Sequence, residues 1–491
     1  MPLLHGASLR ALLAGAAVAH LSSFPIVRAS PCAPPQPLRL RAFASHSASE
    51  PPPPPSTSRV LASAAAACDC EEGAKPAICT ADELHYAPVP GTEWRLALWR
   101  YRPPPEAPKR NHPLMLLSGV ATNAVGFDLS PGASFARHMS MQGFDTWIVE
   151  LRGAGLSTRG SELAAAGTKS DMSSNSDKFL GLMELPQTSA IYDQISQLSQ
   201  RLVKILGEGQ QNVSPRLFGW QERLSATIED LQKQLELIIS YDWDFDHYLE
   251  EDVPAAIDYI KQQSVPKDGK LLAIGHSMGG ILLYAMVSKC GADPELAVIV
   301  TLASSVDYTT SNSSLKLFVP LADPAEMLRV PAVPLGTLLS TTYPISSRAP
   351  YILSLLRSQI SAKDMMDPEL LSKLILNNFC TVPAKVLLQL ATSFRDGGLR
   401  NRAGTFFFKE HLGKIKVPVL ALAGDEDLIC PPEAVYETVK VIPQHLVTYK
   451  VFGKPEGPHY AHYDLVGGRK AVHEVYPCII EFLSQHDDVS S

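Results

Sequence analysis

Residues 271–286 read LLAIGHSMGGILLYAM. Ser277 stands between Gly275 and Gly279, after one short apolar run and before another. With Gly and Ser each near ~7% of positions, such a triplet arises by chance in about one chain of this length in six. The flanks must therefore decide. Residues 271–274 have strand length and no polar side chain, and residues 281–287 suit a helix. The pattern predicts a strand-to-helix turn, the setting in which a nucleophilic serine is held with its hydroxyl clear of the sheet. Gly275 and Gly279 then mark positions where neighbouring backbone leaves no room for a side chain, and Gly280 gives the helix room to pack.

Outward from this stretch, further strand-length apolar runs occur at 113–117, 146–151, 296–302, 417–423 and 447–452, separated by helix-length segments. Continuous apolar runs suit strands buried on both faces. Their alternation with helices predicts an α/β fold with a mostly parallel sheet. Ahead of them, runs at 84–89 and 94–101 flank Pro90-Gly91-Thr92-Glu93, so an N-terminal hairpin is expected. Two segments break the rhythm. In the first, Ile191, Ile195, Leu198, Leu202 and Ile205 form one helical seam, and Leu224, Ile228, Leu231, Leu235 and Ile238 form another. They predict an antiparallel helical hairpin inserted at about 186–245, which packs on the body of the protein, covers a site entrance or binds a partner. The second, 306–412, has helical patterns and prolines but no clear strand, and reads as a helical cap. The core is then 81–305 with 413–491.

The 491 residues carry a net charge of −7 and 45% hydrophobic residues, enough for a large core and without the basic excess of a nucleic-acid binder. Eight cysteines are too sparse and irregular for a secreted disulfide framework. Cys68, Cys70 and Cys79 cluster, but lack a fourth ligand at zinc spacing and read as ordinary thiols. No phosphate loop, metal cluster or cofactor motif is seen, so no cofactor is expected. No apolar run reaches 18 residues, so no spanning helix is expected, which leaves peripheral membrane contact open. Residues 1–49 hold four arginines, no lysine and no acid, and are rich in Ala, Ser and Pro. That is the composition of a chloroplast transit peptide; a secretory signal with 12–19 as its apolar core is the alternative. Pro51 to Pro55 open a stiff linker ending near residue 80.

A serine hydroxyl needs a base to take its proton and a carboxylate to orient the base. Residues 420–435, LALAGDEDLICPPEAV, put Asp425, Glu426 and Asp427 directly after a strand run. Asp427 is the preferred acid, since the turn that follows would aim it across the sheet ends; Asp307, after the 296–302 run, is the backup. Residues 454–468, KPEGPHYAHYDLVGG, offer His459 and His462 after the last strand. His462 is preferred because Asp464-Leu465 lead into the final helix region. His276 reads as a packing residue. Two backbone donors are needed for an oxyanion. The amide of Met278 is one, and the loop 117–127, LSGVATNAVGF, supplies the other: Gly119 is read as permitting its tight turn and the Val120 amide as the donor.

Together these features resemble the α/β-hydrolase superfamily from about residue 84 to 485. The nearer resemblance is to its acid-lipase-like branch. His462-Tyr463-Asp464-Leu465 is similar to that branch's catalytic-histidine motif, residues 252–260 (DVPAAIDYI) to the helix before its elbow strand, and residues 151–158 (LRGAGLST) to its Arg-Gly loop. The chain resembles a plant, plastid-type member of that group, with Ser118-Gly119 where His-Gly is usual. The resemblance implies a serine ester hydrolase acting through an acyl-enzyme on lipid or other carboxylic esters. Acyl transfer on the same triad and a non-catalytic binding protein on the same fold remain the alternatives.

Overall fold

A computed structural model describes residues 80–160, 241–290, 295–319, 331–335 and 358–487, all within the unit Cys70–Ser491. The expected transit segment and linker, the Cys68/Cys70/Cys79 cluster and the two helical seams of 191–238 lie outside the described residues.

The strands are β1 (Glu83–Pro88), β2 (Trp94–Tyr101), β3 (Leu114–Leu117), β4 (Thr146–Val149), β5 (Thr158–Arg159), β6 (Leu271–His276), β7 (Leu296–Leu302), β8 (Ala332–Pro334), β9 (Thr381–Pro383), β10 (Val419–Gly424) and β11 (Val447–Phe452). Among the described residues one nine-stranded sheet runs β1-β2-β4-β3-β6-β7-β10-β11, with β5 on β2. From β4 to β11 every pairing is parallel, while β1 and β2 join antiparallel at the far edge. This is the α/β-hydrolase fold.

The central strands are apolar on both sides because both sides are covered. Leu114 and Leu116 of β3 lie in one core cluster, Met115 and Leu117 in the other. That is the two-residue alternation of a pleated strand. Helices α2 (Val253–Ser264) and α3 (Met278–Cys290) share a cluster with Met115 and Leu117. Helices α1 (Phe135–Met141), α6 (Pro432–Val439) and α7 (Ala471–Gln485) share one with Leu114 and Leu116. β11, at the edge, alternates over its first four residues, with Thr448 and Lys450 exposed.

Within 306–412 lie α4 (Pro368–Asn377) and α5 (Ala384–Ala391). The expectation of no strand there is corrected: β8 and β9 pair antiparallel as a separate small sheet. Each has three residues and ends in proline, too short for any alternation to register. Phe408 is fully buried and its carbonyl accepts from the Ser288 hydroxyl at 3.1 Å, so the chain is back against α3 by that point.

β3 and β6 are neighbours, with Leu117 opposite Gly275. The loop after β3 and the turn after β6 therefore leave the sheet side by side at its carboxyl end, where open α/β sheets change direction and bind ligands. A Cβ on Gly275 would fall 2.3 Å from the Gly279 carbonyl carbon, and one on Gly279 would fall 2.1 Å from the Leu117 oxygen. These contacts are with backbone and cannot be relieved by a rotamer change. Gly275→Ala is expected to cost about 3 kcal/mol or more, at or beyond the usual range for overpacking. The urea midpoint of the variant measures this; an unchanged midpoint would contradict the packing described.

Candidate active site

Ser277 sits between β6 and α3 with φ = 54°. A non-glycine residue in the left-handed region is strained, and is retained where surrounding structure fixes it. Here the Ser277 amide donates to Leu302 O at 2.9 Å, while Gly280 N and Ile281 N donate back to its carbonyl. The first amides of α3 have no acceptor within the helix, and the helix dipole puts partial positive charge beside the hydroxyl.

Asp427 follows β10, buried, and its Oδ1 accepts from the amides of Ile429 (2.9 Å) and Cys430 (2.8 Å). Its Oδ2 lies 2.8 Å from Nδ1 of buried His462. With the Nδ1 proton on this bond, Nε2 is left as the acceptor, the tautomer a general base needs. His462 is held from three sides. Glu426 N donates to Tyr460 O at 3.0 Å, and Gly424 lies so close to that oxygen that a Cβ there would fall at 2.3 Å. Buried Asp464 accepts from Ala461 N (2.8 Å), Ala362 N (2.7 Å) and Ser361 Oγ (2.6 Å); burial pushes its pKa up to about 6. His276, beside the serine, reaches the His462 carbonyl with Nε2 at 2.9 Å, and the two rings lie 4.7 Å apart. It therefore supports the histidine loop as well as packing. Among the described residues no hydrogen bond joins Ser277 Oγ to His462.

The other candidates are committed elsewhere. His459 lies toward the surface, 2.6 Å from Asp425, whose hydrogen bond, and after it its charge, raises the His459 pKa. Asp307 is ion-paired with Lys409 and bonded to Thr309, and that pairing lowers its pKa against the opposing effect of burial.

The loop after β3 lies directly on the serine. A Cβ on Gly119 would be 3.3 Å from Ser277 Cβ and 3.7 Å from its Oγ. One reading of this loop is corrected. Gly119 lies in this close approach, where a Cβ would press on Ser277, while the left-handed turn falls on Ala121, at φ = 53°. Nothing in an alanine announces such a conformation. Val120, the expected second donor, is partly exposed in this loop. The Ser118 hydroxyl donates to Asn123 O at 3.3 Å. Beneath the loop, buried Glu150 accepts from Ala124 N (2.9 Å) and Leu156 N (2.8 Å). The two branch-like motifs also meet: Arg152 Nε donates to Asp252 Oδ1 at 2.8 Å and its amide to Oδ2 at 2.9 Å, both residues buried.

Among the described residues no group of three or more His, Cys, Asp and Glu could hold a metal ion, and no helix is long and apolar enough to cross a membrane.

A family model described as alpha/beta hydrolase fold matches residues 112–464. No curated protein matches the chain. Among solved structures it is similar to the Paleococcus ferrophilus monoacylglycerol lipase, at 12% identity and TM-score 0.45, covering 79% of this chain and 99% of that one. It is similar also to a thermophilic esterase from Thermogutta terrifontis, at 14% identity and TM-score 0.45, covering 83% and 100%. A soluble variant of the Saccharomyces cerevisiae monoglyceride lipase, solved with a substrate analogue, matches at 12% identity and TM-score 0.43, covering 84% and 97%.

Burial, and secondarily the charge of His462, pushes the His276 pKa down to about 3. Below about pH 6.5 the unfolded chain takes up a proton that the folded chain refuses. This contribution to stability is complete above pH 6.5 and is lost as pH falls toward 3. Between pH 6 and 5, His276→Gln should flatten the dependence of unfolding free energy on pH by up to about 1.4 kcal/mol per pH unit. Equal slopes in wild type and variant would mean that this ring is protonated in the fold.

Proposed function

The chain belongs to the alpha/beta hydrolase fold family, and on that premise we propose that it is a serine hydrolase of carboxylic esters, working through an acyl-enzyme. The observation that carries this reading is the buried Asp427–His462 pair, whose histidine loop is bonded to His276, next in the chain to a serine held at positive φ. His462 Nε2 takes the Ser277 proton as Oγ attacks the ester carbonyl. The oxyanion is held by the amides of Met278 and Val120. Collapse expels the alcohol, which leaves with the proton from His462. Water then repeats the sequence on the acyl-enzyme, giving the carboxylic acid and free serine. The serine–histidine bond is the contact that catalytic sites often tighten only when substrate arrives.

The acid-lipase-like branch, and with it acyl lipids as the substrate class, is supported by the His462-Tyr463-Asp464-Leu465 motif and by the two further branch-like segments that the Arg152–Asp252 pair unites. Residues 306–412 are assigned as the cap that selects the acyl chain. The acid-free segment 1–49 supports routing to plastids.

Ser277→Ala should abolish both ester hydrolysis and fluorophosphonate labelling in a protein that still folds. His462→Ala should lose several orders of magnitude in turnover, about 10³-fold or more, while His459→Ala should lose far less. Retained turnover in folded Ser277→Ala, or the reverse order for the two histidines, would sink the mechanism. A fluorescent fusion to residues 1–49 should enter plastids; glycosylation at Asn312 would place the protein on the secretory route instead.

A further inference from the structure

The loop that carries Val120 is not self-supporting. Ala121 at φ = 53° is strained, in a region that a residue with a Cβ rarely adopts, so something outside the loop must hold it. What holds it comes from far along the chain, from the insertion between β7 and β10. Cys380 N donates to Ala121 O at 2.7 Å, and Asn123 N donates to Asn378 O at 3.0 Å. These two bonds frame an antiparallel bridge between Thr122 and Phe379. Asn123 adds its side-chain amide to Asn377 O at 2.8 Å. Within the loop, the Thr122 hydroxyl donates to Gly119 O at 2.9 Å, linking the bridged residue to the glycine that lies on Ser277.

Asn378 is itself anchored to the other half of the site. It is fully buried, and its Nδ2 donates to the hydroxyl of Tyr463 at 2.9 Å. Tyr463 follows His462 in the chain, and its ring lies 4.6 Å from that of His276. Its amide donates to Ile360 O at 2.8 Å. Thr122 and Tyr463 line one small cavity together with Gly119 and His276. The other end of the Asn378 side chain, Oδ1, is buried with no hydrogen-bond partner and faces Gly126, where a Cβ would fall 3.2 Å away. Whichever way the amide is oriented, one end meets Tyr463 and the other lies against Gly126 with no hydrogen-bond partner. An orphaned buried amide group is costly. It is tolerated where the opposite end is needed in place.

We propose that Asn378 and Tyr463 are positioning residues that hold the loop 119–123 in register with the histidine loop, so that the oxyanion site is complete only while the segment Asn378–Cys380 is seated. The catalytic half of this proposal rests on the acyl-enzyme reading above. The coupling itself is a property of the fold. The Asp427–His462 pair shares no hydrogen bond with Asn378, so unseating the segment removes oxyanion stabilisation and leaves the base intact.

Tyr463→Phe removes one oxygen and keeps the ring; Asn378→Ala removes the amide. The first measurement is hydrogen exchange of the amides of residues 119–123. The second is kcat/KM per fluorophosphonate-titrated site on p-nitrophenyl butyrate and on its thiono analogue, whose sulfur accepts hydrogen bonds weakly and so gains little from an oxyanion site. Faster exchange in both variants is expected. The oxyester-to-thionoester ratio should fall about tenfold or more, with KM within about twofold and the pH profile of kcat/KM unmoved. A merely structural role would lower the count of active sites and leave that ratio alone. Unchanged exchange in folded Tyr463→Phe overturns the coupling. Faster exchange with an unchanged ratio overturns the catalytic half. If the wild type neither hydrolyses esters nor labels, the acyl-enzyme reading fails, and the exchange measurement still decides the coupling.

Discussion

The close approach of three backbone segments at the carboxyl end of β6 governs this molecule. The elbow brings Gly275 and Gly279 into contact with each other, and Gly279 into contact with Leu117 of the neighbouring strand. A side chain at Gly275 would push the start of α3 away from β6, and one at Gly279 would push it away from β3. Because they touch, Ser277 is forced to positive φ, the loop after β3 lies on its Cβ, and the first amides of α3 face the same space. The strain at Ser277 is borne by main-chain bonds to Leu302 on one side and from Gly280 and Ile281 on the other.

Around that point the structure repeats one device: a loop too irregular to support itself is tied by buried polar groups to a rigid neighbour. Asp464 draws Ser361, Ala362 and Ala461 around one carboxylate and so fixes the histidine loop. Glu150 gathers amides from Ala124 and Leu156, and Gly155 closes so tightly around it that a Cβ would fall 2.1 Å from the carboxyl group. Arg152 and Asp252 join the loop after β4 to the start of α2. Such groups lose much when a single partner is removed, which ties the order of the loops to the integrity of the sheet.

Two Asp–His pairs leave the same end of β10 and β11, and the contrast between them is informative. Asp425–His459 is part-exposed, whereas Asp427–His462 is buried and its carboxylate is also held by two amides. They are two residues apart in one loop and three in the other. Burial, set by the way the histidine loop folds back onto β10, separates a surface ion pair from a pair suited to base chemistry.

Much of this was written in local pattern. The strand runs at 94–101, 296–302 and 447–452 coincide with the observed elements, and the others differ by a few residues at their ends; in the central strands burial on both faces leaves a continuous apolar signature. The glycines of the elbow were legible too, since Gly275 meets the backbone of Gly279 and Gly280 a few residues on and the spacing marks that local turn, although the contact of Gly279 with Leu117 is distant in sequence. What stayed hidden depends on partners distant in the chain. Ala121 adopts a left-handed turn because residues 378 and 380 bridge to its neighbours. Asn378 matters because Tyr463, 85 residues on, receives its amide. The paired strands β8 and β9 are held by each other across about 50 residues and show no period of their own. Residue type and spacing determine which elements form and where a nucleophile can stand. Which carboxylate faces which histidine, and what holds the strained loop, are decided only when segments far apart in sequence come to share one buried polar environment.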